Sequence, residues 1–321
     1  MKRRNTLRIV LGSTLGALLW HAVTAFCAVG LFFAIFYARY DTVCPTDLTA
    51  ADLAAQTEAV TFDANGVSLS GLVIGNGQKG VIVMVHGMRS GMDAHFAEAD
   101  YFAAQGYTVF SFDGSGTRTS GGSSRKSVSL ARDDLNAALD WLETTALSDL
   151  PVFLYGHSSG GYAVATTLDR ADATVAICAF DDPIDTMCDT ARPYVGFLAR
   201  LQRPFLALWN RIEAGADANE SASACISQTD APILIIGASE DQVIPQEDAL
   251  YLHAGAISDP NAQYLEWPGM HSDLWLSDEA QAYRINIQNE ASDSINKLQF
   301  NAIDPDFLDM ILEFFRRSVS A

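Results

Sequence analysis

Val152-Phe-Leu-Tyr-Gly156-His157-Ser158-Ser159-Gly160-Gly161-Tyr-Ala-Val-Ala-Thr166 is the stretch that decides the fold. Residues 152–155 are a short apolar run of strand type, and residues 159–168 read as a helix. Between them stands a serine with glycines two positions before and two positions after it. Gly-x-Ser-x-Gly in that setting is a sharp strand-to-helix turn that lifts the serine hydroxyl out at the carboxyl edge of a sheet. The glycines are required because a Cβ there would strike the adjacent strand or helix. Ser158 is therefore a candidate nucleophile; the bland alternative is a tight turn with an incidental serine.

Working outward, strand-like and helix-like patterns alternate on both sides. Upstream, residues 60–74 hold Asn65-Gly66 between two alternating apolar runs, a strong hairpin signal. Val81-Ile-Val-Met-Val85 has the β-branched character of a strand buried on both faces. A helix over 94–105, a strand over 107–112, a Gly/Ser-rich loop over 113–127 and an amphipathic helix over 129–143 follow. Downstream come strands at 174–180, 233–236 and 263–267, a helix at 246–253, and a closing helix capped by Asp304 with Pro305 at its first position. A hairpin followed by repeated β–α units means a mostly parallel sheet with helices on both faces. Residues 181–230 interrupt the alternation as a single insertion.

The chain has 321 residues, 49% of them hydrophobic, enough for a sizeable core. Its 20 Lys and Arg face 39 Asp and Glu, for a net charge of −19. Five of the basic residues (Lys2, Arg3, Arg4, Arg8 and Arg39) and none of the acidic ones lie in the first 40 positions, leaving a strongly acidic body. Such a body repels phosphate backbones and excludes nucleic acid as a partner. Residues 9–38 contain no Asp or Glu and no basic residue, apart from Arg39 just beyond, and a bilayer needs only roughly 20 apolar residues. The apolar run outlasts the h-region of a signal peptide and no cleavage site follows it. The segments expected are a basic cytoplasmic tail (1–8), an uncleaved transmembrane signal anchor (9–38), a juxtamembrane linker (39–58) and one domain (59–321). The basic residues before the span place the N-terminus in the cytoplasm and the domain outside the cell membrane. Gly12 and Gly16 have the spacing of a helix-dimer motif, but the sequence sets no oligomeric state. Cys188 and Cys225 are either a disulfide or two unpaired thiols, and Asn219-Glu220-Ser221 is a glycosylation sequon.

The chain resembles the α/β-hydrolases, and most closely the branch of monoacylglycerol lipases, lysophospholipases and serine aminopeptidase-like hydrolases. The resemblance rests on Val85-His86-Gly87, Asp113-Gly-Ser-Gly116, Gly156-His-Ser-Ser-Gly160, Asp241-Gln-Val-Ile-Pro245 and Met270-His271. It covers the chain from about residue 60 to the end. It implies a serine hydrolase with a Ser…Asp…His triad and a helical cap in the 181–230 insertion. The base falls on His271, on the loop after the last strand, in preference to His253 in a helical stretch. The acid falls on Asp241, in preference to its neighbour Glu240 and to Asp181 or Asp182. The backbone N–H groups of Met88 and Ser159 would form the oxyanion hole. His86 and His157 read as structural. In the cap, Tyr194, Phe197, Leu201 and Trp209 are candidates for substrate binding, and Arg192, Arg200, Arg203 and Arg211 cluster nearby.

Two departures narrow the activity. The loop His86-Gly-Met-Arg-Ser-Gly91 differs from the His-Gly-Gly-Pro-Gly of proline-releasing aminopeptidases, and Asp113-Gly-Ser-Gly-Thr-Arg118 lacks the arginine that many lipases and epoxide hydrolases carry earlier. A serine at the elbow also argues against dehalogenases and epoxide hydrolases, which use aspartate. The expected activity is hydrolysis of carboxylic esters of small or medium acyl groups through an acyl-enzyme, with a small-molecule acyl ester or peptide as substrate and no metal or organic cofactor. The alternatives are a peptidase or amidase on the same residues, for which Asp181, Asp182, Asp185 and Asp189 could hold an α-amine, an acyltransferase, and a membrane-tethered binding protein without catalysis.

Overall fold

A computed structural model describes residues 2–257, 259–287 and 294–320, with side chains from residue 12 onward except that of residue 256. Eight strands make one sheet: β1 (Thr57–Ala64), β2 (Val67–Ile74), β3 (Val81–Val85), β4 (Thr108–Phe112), β5 (Val152–His157), β6 (Ala173–Ile177), β7 (Ile233–Ala238) and β8 (Ala262–Trp267). Their order is β1-β2-β4-β3-β5-β6-β7-β8. β1 pairs antiparallel with β2 and β2 with β4, while every later pairing is parallel. The expected hairpin turns at Asn65 and Gly66, whose φ angles of 52° and 83° are the left-handed pair such a turn needs.

Each central strand is buried on both faces, which is why it reads as an unbroken apolar run. Val81, Val83 and Val85 of β3 face one half of the core, together with Leu135, Leu139 and Leu142 of α3 (Leu130–Glu143). Ile82 and Met84 face the other half, with Phe96 and Phe102 of α2 (Phe96–Ala104) and Phe307, Ile311 and Phe315 of α11 (Pro305–Ser318). Asp304 caps α11 by accepting the Asp306 N–H at 3.0 Å. The short α4 (Ser159–Ala165) follows β5 directly. Near the C-terminus α9 (Asp278–Asn286) and α10 (Lys297–Phe300) precede α11.

Residues 246–253 are not the regular helix their periodicity suggests; only tight 3-10 turns form, over Leu250–Ala256. Here the backbone pairs elsewhere. Leu250 N–H donates to Ala179 O at 2.9 Å and Asp248 O accepts the Asp181 N–H at 2.9 Å, so the segment is tied to the loop after β6.

The insertion between β6 and β7 is helical, as expected of a cap: α5 (Pro183–Val195), α6 (Leu198–Leu201), α7 (Arg203–Ala214) and α8 (Ala222–Ile226). Asp182 caps α5 by accepting the Ile184 N–H at 2.7 Å. Arg203 bonds Asp182 and Asp185 at 2.9 and 2.8 Å, joining α7 to the start of α5.

The N-terminal apolar segment is one long helix, α1 (Lys2–Phe36), of which Gly12–Phe36 is long and apolar enough to cross a bilayer. The side chains of Lys2, Arg3, Arg4 and Arg8, which carry the orientation expectation, lie outside the described residues. The C-terminal half of α1 is not isolated. Ala25, Val29, Phe33 and Tyr37, spaced one helical turn apart, are buried. The Trp209 ring of α7 lies against Gly30 and Phe26, with 4.8 Å between the Phe26 and Trp209 centroids. Beyond the helix, Arg125 donates to Phe36 O and Ala38 O at 2.6 and 3.1 Å, and Arg39 donates to Ser120 O and Gly122 O at 2.9 and 2.8 Å.

Candidate active site

The residues singled out in the sequence come from loops at the carboxyl ends of β3, β5, β7 and β8, on one edge of the sheet. Ser158 sits between β5 and α4 with φ 57° and ψ −117°, a conformation that side chains other than glycine seldom adopt. The turn can be that tight because glycines surround it. A Cβ on Gly156 would lie 2.3 Å from Gly160 O, and one on Gly160 would lie 2.1 Å from Val85 O. Tyr162 N–H bonds Ser158 O at 3.0 Å, so the strained serine opens a regular helix.

His271 follows β8 and is buried, with its Nδ1 2.8 Å from Asp241 Oδ2. Asp241 follows β7, and its other oxygen accepts the N–H groups of Val243 and Ile244 at 2.8 and 2.9 Å. Burial alone would raise the Asp241 pKa. The hydrogen bond and charge of His271 and the two backbone donors outweigh it, holding the carboxyl below the usual range. Ser158 and His271 line one cavity together with Gly87, Met88, His157 and Trp275. The Ser158 hydroxyl and the His271 ring therefore open on the same space. Met88 lies on the loop after β3. Ser159 is the first residue of α4, where an N–H has no acceptor within its own helix. Both line a second cavity shared with Ser158, of about 390 Å³.

The supporting histidines are fixed by hydrogen bonds. His86 places Nδ1 2.8 Å from Gly87 O and accepts the Gly114 N–H on Nε2 at 3.1 Å, so it joins the loops after β3 and β4. Burial lowers its pKa, consistent with a neutral ring. His157 Nε2 lies 2.7 Å from the His271 carbonyl. Burial, then the nearby His271 and His95 rings, push the His157 pKa well down. It therefore donates as a neutral imidazole and holds the loop that carries His271, a positioning role that packing alone does not describe. Behind it, His95 and Glu98 form a buried pair at 2.7 Å.

The fold has counterparts among other proteins. The family model described as serine aminopeptidase, S33, matches residues 76–210, which include Ser158 and the loop after β3. The structure is similar to that of esterase Pf2001 of Pyrococcus furiosus, at 18% identity and a TM-score of 0.62, over 87% of this chain and 98% of that one. The chain has the fold of the α/β-hydrolases. Likeness of fold extends to the α/β hydrolase GrgF from Penicillium sp. sh18 (17% identity, TM-score 0.55, 83% of this chain and 100% of that one). It extends also to Est1E from Butyrivibrio proteoclasticus, seen with ferulic acid bound (14% identity, TM-score 0.54, 80% and 100%). Among curated proteins none matches in sequence.

The structure departs from expectation in the cap. Tyr194, Phe197, Leu201 and Trp209 do not line the cavities at Ser158. Tyr194, Phe197 and Leu201 are exposed, and Tyr194 also stands against Phe36 of α1. Trp209 is turned onto α1 instead. The walls come from Phe180, Met187, Thr190 and Ile244, and from Phe36 and Tyr37 at the end of α1. No local pattern marks Phe36 and Tyr37, because they reach the site only through the docking of α1.

The rival residues in the sequence have other partners. His253 Nδ1 is 2.8 Å from Asp181 Oδ2, and Asp181 also accepts from Ser223, so the alternative base and the alternative acid bind each other. Asp182 and Asp185 are held by Arg203. Asp189 does line the larger cavity, with Arg200 and Arg192 at 3.3 and 3.5 Å. All five cysteines are free thiols, Cys188 and Cys225 among them. Asn219 of the sequon donates to Ala207 O at 2.9 Å and accepts from Asn210, so its amide already serves the cap. His157, Cys178 and His271 bring donor atoms within 4.8 Å of one another. His271 Nδ1 and His157 Nε2 are taken by the bonds above, and burial pushes the Cys178 thiol up, so the trio fits a hydrogen-bonded support better than a metal.

Proposed function

We propose that the chain is a membrane-anchored hydrolase of carboxylic esters acting through an acyl-enzyme on Ser158. In the first half-reaction the Ser158 hydroxyl attacks the ester carbonyl while His271 Nε2 takes its proton. Asp241 keeps the His271 proton on Nδ1 and stabilises the imidazolium without taking that proton itself. The N–H groups of Met88 and Ser159 receive the developing oxyanion, and a donor of this kind is worth roughly 100- to 1000-fold in rate. His271 then protonates the leaving alcohol, and water repeats the sequence to free the acid. The observation that carries the reading is the Asp241–His271 bond of 2.8 Å facing a serine held at φ 57° in the same cavity.

Membrane anchorage is supported by α1 itself. Cleavage after the span would strip Val29, Phe33 and Tyr37 from the core, which favours an uncleaved anchor over a signal peptide. The basic residues before the span favour a cytoplasmic N-terminus and a domain outside.

A peptidase reading has one observation in its favour, the acid Asp189 at the cavity wall. The arginines beside it already balance its charge, and the other candidate acids are engaged elsewhere, so a free α-amine would find little uncompensated negative charge. The deciding experiment compares kcat/KM for p-nitrophenyl butyrate and for aminoacyl p-nitroanilides, with Ser158→Ala as control. A preference for the ester that disappears in the variant supports the reading. A preference for aminoacyl anilides, lost on Asp189→Asn, would replace it with the peptidase.

A further inference from the structure

The larger cavity beside Ser158 and a second space, between α1 and the cap, share a wall at Phe36. That second space, of about 360 Å³, lies between α1 and the cap and is lined by Ala28, Phe32 and Ile35 from α1 and by Ala191, Tyr194 and Leu206 from the cap. Phe36 borders both spaces, and its ring lies 6.2 Å from that of Tyr194. The side chains of the groove are almost all apolar.

The depth of this groove follows from helix geometry. Gly12–Phe36 is 25 residues long, or about 37 Å of helix against a hydrocarbon core of about 30 Å. The cap touches α1 as far down as Phe26, which at 1.5 Å per residue is about 15 Å below the end of the span. A cap docked that low reaches past the headgroups into the acyl region of the leaflet on its side. Its outer surface fits that setting: Tyr194, Phe197, Leu201, Leu208 and Ile212 are all exposed, and Phe197 is 80% accessible. Large apolar side chains left exposed in this number on one insertion mark a surface suited to an apolar environment.

We infer that the groove between α1 and the cap is the acyl-chain subsite, entered sideways from the bilayer, with Phe36 as the partition between the tail and the reacting carbonyl. This rests on the ester-hydrolase reading and narrows it: the substrate is an acyl ester whose tail lies in the membrane, and the anchor is part of the binding site as well as a tether. The occupant is an acyl chain, because the groove offers apolar walls and adjoins, across Phe36, the cavity that holds Ser158.

The test uses the full chain in phosphatidylcholine nanodiscs and a series of p-nitrophenyl esters from about two to about twelve carbons. Wild type is expected to gain roughly two- to fourfold in kcat/KM per added methylene, up to about ten carbons, as each methylene is buried. Ala191→Trp and Ala28→Trp fill the groove from opposite walls. Each should end the rise at about six carbons and lower the ten- to four-carbon ratio by at least about tenfold. Phe36→Ala merges the two spaces and should move the preferred length upward. Fluorophosphonate labelling of Ser158 reports whether each variant is folded. A labelled, active enzyme whose ratio ignores both tryptophans overturns the inference and leaves the ester reading standing. Absence of both labelling and cleavage in wild type overturns the ester reading and this inference with it.

Discussion

Shortening the chain from its N-terminus separates the two things α1 does. Removing residues 1–24 takes away about half of the span but leaves Ala25, Val29, Phe33 and Tyr37 in place. Removing residues 1–40 takes those four and Arg39 as well. Val29, Phe33 and Tyr37 are 3%, 4% and 5% exposed and belong to the same core cluster as Leu206 and Val128. At about 1.5–3 kcal/mol for each buried side chain, roughly 5–9 kcal/mol is at stake. Arg39 adds bonds to the backbone of the 118–122 loop. The net stability of a domain is only about 5–15 kcal/mol, so the shorter fragment should be barely folded. Urea unfolding of the two fragments in mild detergent, followed by tryptophan fluorescence, is the assay. The 25–321 fragment should show a cooperative transition and the 41–321 fragment a much lower midpoint or none. Coincident midpoints would refute the docking of α1 onto the cap.

Three further outcomes follow from individual contacts. His157→Phe keeps the ring but removes the donor to the His271 carbonyl; kcat for a short ester should fall about tenfold with KM little changed, since an unmade buried hydrogen bond costs about 1–3 kcal/mol. Gly160→Ala drives a Cβ into the Val85 carbonyl, 2.1 Å away, and should lower the melting temperature and abolish activity together. Asp248 and Asp189 each have a buried carboxylate oxygen without a donor; a proton held between them satisfies both, and burial with the neighbouring Asp189 pushes the Asp248 pKa up to about 7. The folded state thus holds a proton that the unfolded chain loses near pH 4, so this pair's contribution to stability declines as pH rises from about 4 to about 7. Asp248→Asn should remove that decline, leaving the variant more stable than wild type at pH 8 by on the order of 2 kcal/mol and near wild type at pH 4, as read by thermal melts across that range.

What could be read in the sequence was what local chemistry dictates. Asn65-Gly66 demanded a left-handed turn, the glycines around Ser158 demanded close approach, and the loops holding Asp241 and His271 each follow a strand that no other element resembles. The cap was harder. Tyr194, Phe197, Leu201 and Trp209 are apolar in an insertion expected to cover the site, but composition does not say which apolar surface they meet. Trp209 meets Phe26 and Gly30, residues far away in the chain, Tyr194 meets Phe36 of the same helix, and Phe197 and Leu201 stand exposed. Residues 246–253 show the same limit on a smaller scale. Their helical periodicity lost to hydrogen bonds with the 179–181 loop, a partner that only the assembled sheet supplies.

The central claim is that Ser158 is an activated nucleophile, and reaction of the full-length protein with a fluorophosphonate probe tests it most directly. Wild type should be labelled once, at Ser158, with Ser158→Ala unlabelled and with His271→Ala and Asp241→Asn slowed by orders of magnitude. A folded wild-type protein that resists the probe, or labelling that persists in Ser158→Ala, would contradict the account.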